Sequence, residues 1–331
     1  MRDLYAFIGR DLVGVFHEVG SDRAVFEYSE TWGETPVSLS LSRHGQADPR
    51  AGFAYLDNLL PGRDDVRRRW ANERGLGGID PFTLLASYGE DVAGALTLSV
   101  ESDLPLREPA PLFEASIDDI VARIAALSRE NASWVDPRAQ PRMSLAGAQG
   151  KFTLARVGDQ WFWPTYEVPS THIIKPPATA HPGIDVFEHL TLELARAVGV
   201  EASWSQRVEF LGQSAFITER WDRDEGVRLH AEDMNQALGN PTEAKYDHTK
   251  VGASQIARLL NAHGQAERFI RQLAFNVAVG NTDAHAKNYS VLLAGTRAVL
   301  APIYDTLPVF SGPATRQLSR CQSVERTVRR T

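Results

Sequence analysis

Gly280-Asn281-Thr282-Asp283-Ala284-His285-Ala286-Lys287-Asn288 puts a carboxylate, an imidazole, an ammonium and two amides into nine residues, and almost nothing in it can pack a core. The segment before it places Phe269, Leu273 and Val277 at four-residue spacing, the repeat of one helical face, so a helix is expected to deliver the chain to this loop. After it, Tyr289 to Leu293 and Ala298 to Ile303 have strand composition on either side of Ala294-Gly295-Thr296-Arg297, which predicts a hairpin turning at Gly295 and Thr296. Paired strands run about 4.8 Å apart and rise about 3.3 Å per residue, so a symmetric hairpin returns Asp305 to the level of Ala286 to Asn288. A bulge would shift that register by a residue. Asp283, Asn288 and Asp305 are thus predicted to gather at one end of the hairpin.

Asp and Asn oxygens suit a hard cation such as Mg2+, which keeps several waters and takes few protein ligands beside substrate phosphates. The interval from Asp283 to Asn288 is that of the protein-kinase catalytic loop, where the Asp accepts a hydroxyl proton and the Asn holds metal. A later Asp completes that metal site, the place Asp305 takes here. The alternative is a polar loop whose Asp and Asn make turn hydrogen bonds, with His285 a structural hydrogen-bonder rather than a base. The helix before the loop, the hairpin after it and the Asp at the hairpin's far end favour the first reading.

The 331 residues, 43% of them apolar, suffice for one large core or roughly two to three smaller ones. A net charge of -7 argues against a globally basic nucleic-acid binder, so any DNA contact must come from a local patch or a partner. The single cysteine, Cys321, excludes an internal disulfide framework and a cysteine-based zinc site and fits a reducing cytoplasm. No apolar run approaches the ~20 residues of a membrane span. Met1-Arg2-Asp3 does not open a signal peptide. A cytoplasmic protein without membrane contact is expected.

Residues 1–105 read as a self-contained α+β unit. Leu4 to Tyr28 forms a small antiparallel sheet turning at Gly9-Arg10-Asp11 and Gly20-Ser21-Asp22, and helices follow at Gly52 to Leu60, Asp64 to Asn72 and Pro81 to Tyr88. This unit has no constellation of acids, histidines or nucleophiles, so its expected role is structural or partner-binding. Residues 106–139 read as a linker, marked by Pro105, Pro109 and Pro111, and a helix from Ser116, its N-cap, to Arg129.

Residues 140–222 open on the small-residue loop Ser144 to Lys151, before a strand from Phe152 to Val157. Such a loop brings backbone N–H groups close to phosphate oxygens. Gly147 and Gly150 lack Walker A spacing, and an ordinary turn with Ser144 as a capping hydroxyl is the alternative. Strands follow at Trp161 to Tyr166 and Thr171 to Lys175, the latter ending on a lysine placed to neutralise phosphates, or simply solvated. A helix from Asp185 to Val198 has Phe187, Leu190, Leu194 and Val198 on one face and offers Glu188 and Glu193 as partners for Lys175. The strand Ser214 to Glu219 leads into residues 223–331, which hold the helix, loop and hairpin described first. Small-residue loop, strand, strand with Lys, helix with Glu, strand, then Asp-to-Asn loop and final Asp is the order of parts in a kinase.

Six stretches extend this likeness: Leu59-Leu60-Pro61, Met143-Ser144-Leu145-Ala146-Gly147-Ala148-Gln149, Thr171-His172-Ile173-Ile174-Lys175-Pro176, Thr218-Glu219-Arg220-Trp221-Asp222-Arg223, Glu232-Asp233-Met234-Asn235-Gln236-Ala237-Leu238-Gly239 and Thr282 to Asn288. Together they resemble the HipA-like serine/threonine kinases, toxins of bacterial type II toxin–antitoxin pairs, in the family's order from about residue 1 to 308. The resemblance implies an α+β, protein-kinase-like two-lobe fold: an N-terminal accessory subdomain, a kinase N-lobe and a helical C-lobe. It implies ATP and Mg2+ as cofactors, with Asp283 as catalytic base and Asn288 and Asp305 on the metal. Nucleotide contacts would fall on Ser144, Gly147, Ala148, Gln149, Lys151 and Lys175, on Glu219 and Trp221 at the adenine hinge, and on His285 and Lys287.

Ser144 would match the serine whose autophosphorylation switches such kinases off. The implied substrate is a protein hydroxyl. The implied partner is a DNA-binding, HipB-like antitoxin through which alone DNA is met. Gly150 stands where the family usually has Glu. Only 26 residues follow Asp305 where the family continues into further helices, and Ser311 to Thr331 has five arginines and little apolar periodicity, so an incomplete C-lobe is expected. Two other classes stay open: a nucleotide- or antitoxin-binding module that transfers nothing, and a small-molecule kinase, since fold alone does not settle substrate.

Overall fold

The computed structural model describes residues 2–43, 48–104, 112–129, 150–177 and 183–308. The N-terminal strands β1 (Asp3–Ile8), β2 (Asp11–Gly20) and β3 (Arg23–Tyr28) form an antiparallel meander, and β4 (Leu96–Ser99) adds to β1 to give the order β3-β2-β1-β4. Three helices cover this sheet: α1 (Pro49–Asn58), α2 (Asp64–Glu73) and α3 (Pro81–Tyr88). Asp48 and Asp80 cap α1 and α3 through the Arg50 and Thr83 amides, each with Pro in the first turn, where a missing N–H costs nothing. Gly52 lies where α1 crosses β3. A Cβ there would come within 2.1 Å of the Ala24 carbonyl oxygen, so only glycine permits the approach. Phe16, Tyr55, Trp70, Phe82 and Tyr88 fill the core between.

A second, wholly antiparallel sheet has the order β5-β7-β6-β8-β10-β9, from β5 (Phe113–Glu114), β6 (Phe152–Val157), β7 (Gln160–Trp163), β8 (His172–Lys175), β9 (Ser205–Phe210) and β10 (Gln213–Glu219). Helix α4 (Ile117–Arg129) starts at Ser116, whose hydroxyl accepts from the Asp119 amide at 3.2 Å and donates to the Asp119 carboxylate at 2.6 Å. Its Ile120, Ile124 and Leu127 pack on Phe152, Leu154, Ile174 and Ile217.

Helix α5 (Ile184–Ala197) corrects the amphipathic reading. The stripe Leu190, Leu194 and Val198 faces solvent at 53%, 48% and 60% exposure, and the buried face is Asp185, Glu188, Thr191, Leu192 and Ala195. Buried carboxylates on that face are matched by partners on the sheet: Glu188 by Lys175, and Asp185 by Arg207 and Ser214.

The last described region holds the short hairpin β11 (Arg223–Asp224) and β12 (Val227–Arg228), then β13 (Ala231–Asp233) and α6 (Met234–Ala237). Helices α7 (His248–Val251), α8 (Ala253–Asn261) and α9 (Ala266–Ala278) follow, and then β14 (Ser290–Ala294) and β15 (Arg297–Leu300). The hairpin pairs Ala294 with Arg297 and Val291 with Leu300, the symmetric register expected from Gly295 and Thr296. It gains a third strand the sequence reading missed, because β13 pairs Ala231 with Leu292, so this region is not purely helical. In α9 the buried residues are Phe269, Gln272, Phe275 and Asn276, while Val277 is 54% exposed. The result is a mixed α/β fold. No helix among the described residues is long and apolar enough to cross a membrane.

Candidate functional site

Helix α9 ends at Gly280, whose φ of 69° lets the Asn281 amide reach the Asn276 carbonyl at 2.8 Å and the Gly280 amide reach Val277 at 3.1 Å. These paired bonds terminate a helix sharply in a Schellman turn. The polar residues after it then satisfy one another. Asn281 donates to the Asn276 side chain at 2.8 Å and accepts from the Asp283 amide at 3.1 Å. The Asn288 side-chain amide donates to the Asp283 carbonyl at 3.0 Å and to the Asp305 carbonyl at 3.5 Å. Asn276 and Gln272, buried on α9, hold the Tyr289 hydroxyl and the Ala301 carbonyl, so the hairpin is tied to the helix that delivers the loop.

Asp305 takes a left-handed φ of 52°, which costs a non-glycine residue on the order of 1 kcal/mol and which Asp tolerates better than most. In this conformation its carboxylate accepts from the Lys175 ammonium at 2.7 Å, and the same ammonium donates to Glu188 on α5 at 2.7 Å. Burial by itself would lower the Lys175 pKa, but Asp305 and Glu188 outweigh it and hold the ammonium above its ordinary value. Lys175 in turn holds the Asp305 carboxyl well below the usual range. Burial pushes Glu188 up, with Lys175 opposing. Lys151 enters the same field, and burial together with the nearby Lys175 charge pushes it down to about 8. Two lysines thus meet two carboxylates, Glu188 buried and Asp305 with its side chain 43% exposed, and ammonium groups of this kind suit phosphate oxygens.

The other expected residues fall as follows. Glu219 closes β10 three residues beyond Phe216, which pairs with Lys175, and so stands roughly 10 Å along the strand from that lysine. Trp221 stacks on Tyr304 with ring centroids 5.6 Å apart, bringing the segment after β10 against the segment that leads from β15 to Asp305. His285 has burial as the main cause of a pKa near 4 and is therefore neutral; its Nδ1 has no hydrogen-bond partner among the described residues. Lys287 turns toward the N-terminal unit, its ammonium donating to the Asn58 carbonyl oxygen at 2.7 Å. Ser144, Gly147, Ala148 and Gln149 lie outside the described residues. Asn288 and Asp305 meet through the Asp305 main chain and offer oxygen donors of the kind Mg2+ takes. Among the described residues there is no cluster of three or more His, Cys, Asp or Glu able to hold a metal by itself. A cation here therefore fits only if phosphates and water supply most of its shell.

Two features escaped the sequence reading. The Tyr246 hydroxyl donates to the Asp283 carboxylate at 2.6 Å, with its ring edge-on to His285 at 5.1 Å. Five buried charges also tie the N-terminal unit to the segment that follows β10. Asp91 meets Arg223 at 2.8 Å and Arg220 at 3.6 Å, Arg220 binds Asp222 at 2.8 Å, and Arg228 stands 3.9 Å from Asp91. Only the Arg220-to-Arg223 run hinted at this in sequence; Asp91 carried no local signal.

Comparison with known proteins bears on the family and the fold. The HipA N-terminal domain matches residues 4–99 and the HipA-like C-terminal domain matches residues 143–329, beyond the last quoted motif. Y4mE of Sinorhizobium fredii, provisionally named a kinase, is 32% identical over 329 residues, 91% of this chain and 76% of that protein. The serine/threonine-protein kinase toxin HipA of Shewanella oneidensis is 26% identical over 317 residues, 87% of this chain and 71% of the toxin. The solved complex of the Shewanella oneidensis HipA, HipB and operator DNA contains a chain that superposes with a TM-score of 0.75 at 25% identity, covering 92% of this chain and 76% of that one. Fold and site thus define a mixed α/β protein of a class whose named relatives are kinases. The chain belongs to the HipA family.

Proposed function

We propose that this chain is an ATP- and Mg2+-dependent serine/threonine protein kinase of the HipA toxin type. In this reading residues 1–105 are an accessory subdomain, 106–139 a linker and helix, 140–222 a nucleotide-holding lobe and 223–331 the lobe with the catalytic loop. The observation that carries it is the Lys175 ammonium bridging Glu188 and Asp305 at 2.7 Å each, with the Asp283 loop pinned to the Asp305 main chain. Lys175 and Lys151 neutralise phosphate oxygens, and Glu219 and Trp221 frame the adenine. Asp283 orients the acceptor hydroxyl and takes its proton as the phosphoryl group leaves ATP. Asn288 and Asp305 would hold Mg2+, which supplies charge neutralisation on the phosphates.

The acceptor is a protein hydroxyl, Ser144 of the chain itself among the candidates. The Shewanella relative was solved with HipB and operator DNA. By analogy this chain pairs with a DNA-binding antitoxin in the cytoplasm and meets DNA only through it, which suits its net charge of -7. The test is incubation with γ-labelled ATP and Mg2+. Label appears on serine or threonine of the chain or an added protein, and chelation of Mg2+ abolishes it. Label confined to small molecules would instead assign a metabolite kinase.

A further inference from the structure

Lys287 sits between two loop residues of the proposed site, yet its ammonium donates to Asn58, at 2.7 Å to the carbonyl oxygen and 3.1 Å to Oδ1. Asn58 is the last residue of α1, 2% exposed, and belongs to the N-terminal unit. Its side chain is fully engaged. Oδ1 also accepts from Asn235 at 3.0 Å and Thr242 at 3.2 Å, while Nδ2 donates to the Ala54 and Asn240 carbonyls at 2.8 Å each. Burial lowers the Lys287 pKa, with Asp233 and Asp57 opposing, and Asp233 stands 3.8 Å from the ammonium.

Thr242 opens the 3-10 turn Thr242–Tyr246, and Tyr246 caps the Asp283 carboxylate. One buried amide of the N-terminal unit therefore reaches the loop by two arms. Lys287 anchors the turn Ala286–Asn288, and the Thr242 turn carries Tyr246 to Asp283.

We infer that Asn58 is a positioning residue for the Asp283 loop, acting through Lys287 and the Thr242 turn, so that the accessory unit is part of the phosphoryl-transfer apparatus. The inference rests on the kinase reading for its effect on rate, but its structural half stands alone. A misplacement of about 1 Å in a reacting group costs on the order of a hundredfold in rate, so a distant anchor is felt in turnover.

The test uses the full chain as wild type, Asn58→Leu, Lys287→Met and the double variant. Amide hydrogen exchange is followed over residues 281–290, together with ATP-dependent phosphoryl transfer. Exchange in the loop is expected to quicken in both single variants while β8 and α5 stay protected. The kcat is expected to fall roughly tenfold to a hundredfold with the nucleotide KM within about twofold of wild type. The double variant is expected to fall no further than the worse single one, since both act on the same connection, Asn58→Leu by removing Oδ1 and Lys287→Met by removing the ammonium.

Unchanged loop exchange, multiplying losses in the double variant, or a rise in nucleotide KM like that of Lys175→Met would overturn the inference. Should Asn58→Leu loosen the whole N-terminal core, Lys287→Met, which keeps the side-chain stem, decides. Global loosening in both assigns a purely structural role and overturns it too. If the wild type transfers no phosphate, the kinase reading fails while the exchange result still decides this one.

Discussion

Two buried charge networks stand against each other in this molecule. Around Asp91, three arginines and two aspartates are sealed, with side-chain exposures of 9% for Asp91, 1% for Arg220, 6% for Asp222 and 2% for Arg223. Around Lys175, the cations are lysines and one acid, Asp305, is left 43% exposed. Guanidinium groups stay charged and bind carboxylates through fixed forks, whereas an ammonium is a point charge whose pKa moves with its surroundings. The Asp222 carboxyl is accordingly held far below its usual range, burial being outweighed by Arg220 and Arg223, while Lys151 drifts down to about 8. The closed arginine network ties the N-terminal unit to the segment after β10 out of reach of solvent. The open lysine network leaves one of its carboxylates, Asp305, within reach of solvent.

Removing one charged group from each network sharpens that contrast. Asp305→Ala is expected to lower phosphoryl transfer on the order of 10³-fold, measured with labelled ATP, because on the proposed function the Mg2+ that would neutralise the reacting phosphate loses its carboxylate ligand. Arg220→Met is expected to cost about 3–5 kcal/mol in urea unfolding, since Asp91 and Asp222 then remain buried without their partner. A large stability loss for Asp305→Ala together with a small one for Arg220→Met would invert the comparison.

Next in size is a pH effect confined to the open network. Below about 8 the free protein carries the Lys151 ammonium, and above it phosphate binding must first take up a proton. Nucleotide affinity should therefore fall as pH rises past 8, by at most about tenfold per unit. Lys151→Met should flatten that dependence in calorimetric titrations, and Arg220→Met should not. The smallest effect belongs to neither network: Leu194→Ser on the exposed face of α5 should shift stability by less than about 0.5 kcal/mol.

The sequence made local structure legible wherever chemistry and spacing were local. The hairpin register followed from Gly295 and Thr296, and α3 and β6 fell where the turn residues and apolar run placed them. Helix α5 failed because hydrophobic periodicity assumes that apolar residues face inward. Glu188 reverses that rule, its burial offset by a lysine on a neighbouring strand. Strand β13, three residues long, is too short to show alternation. The polar ties of the site were invisible for a different reason. Tyr246 and Asp283 lie 37 positions apart, Asn58 and Lys287 229 apart, and neither pairing leaves a periodic trace. The left-handed φ of 52° that aims Asp305 at Lys175 likewise depends on the folded hairpin and has no sequence signature beyond the residue being an Asp.

The central claim is that the Lys175 network and the Asp283 loop form one phosphoryl-transfer site with divided labour. The most direct test measures ATP binding and transfer of its γ-phosphate side by side in the wild type and in Asp283→Ala. The account predicts that Asp283→Ala binds Mg2+-ATP within about twofold of wild type while transfer falls on the order of 10³-fold. Equal labelling of the two proteins would contradict it.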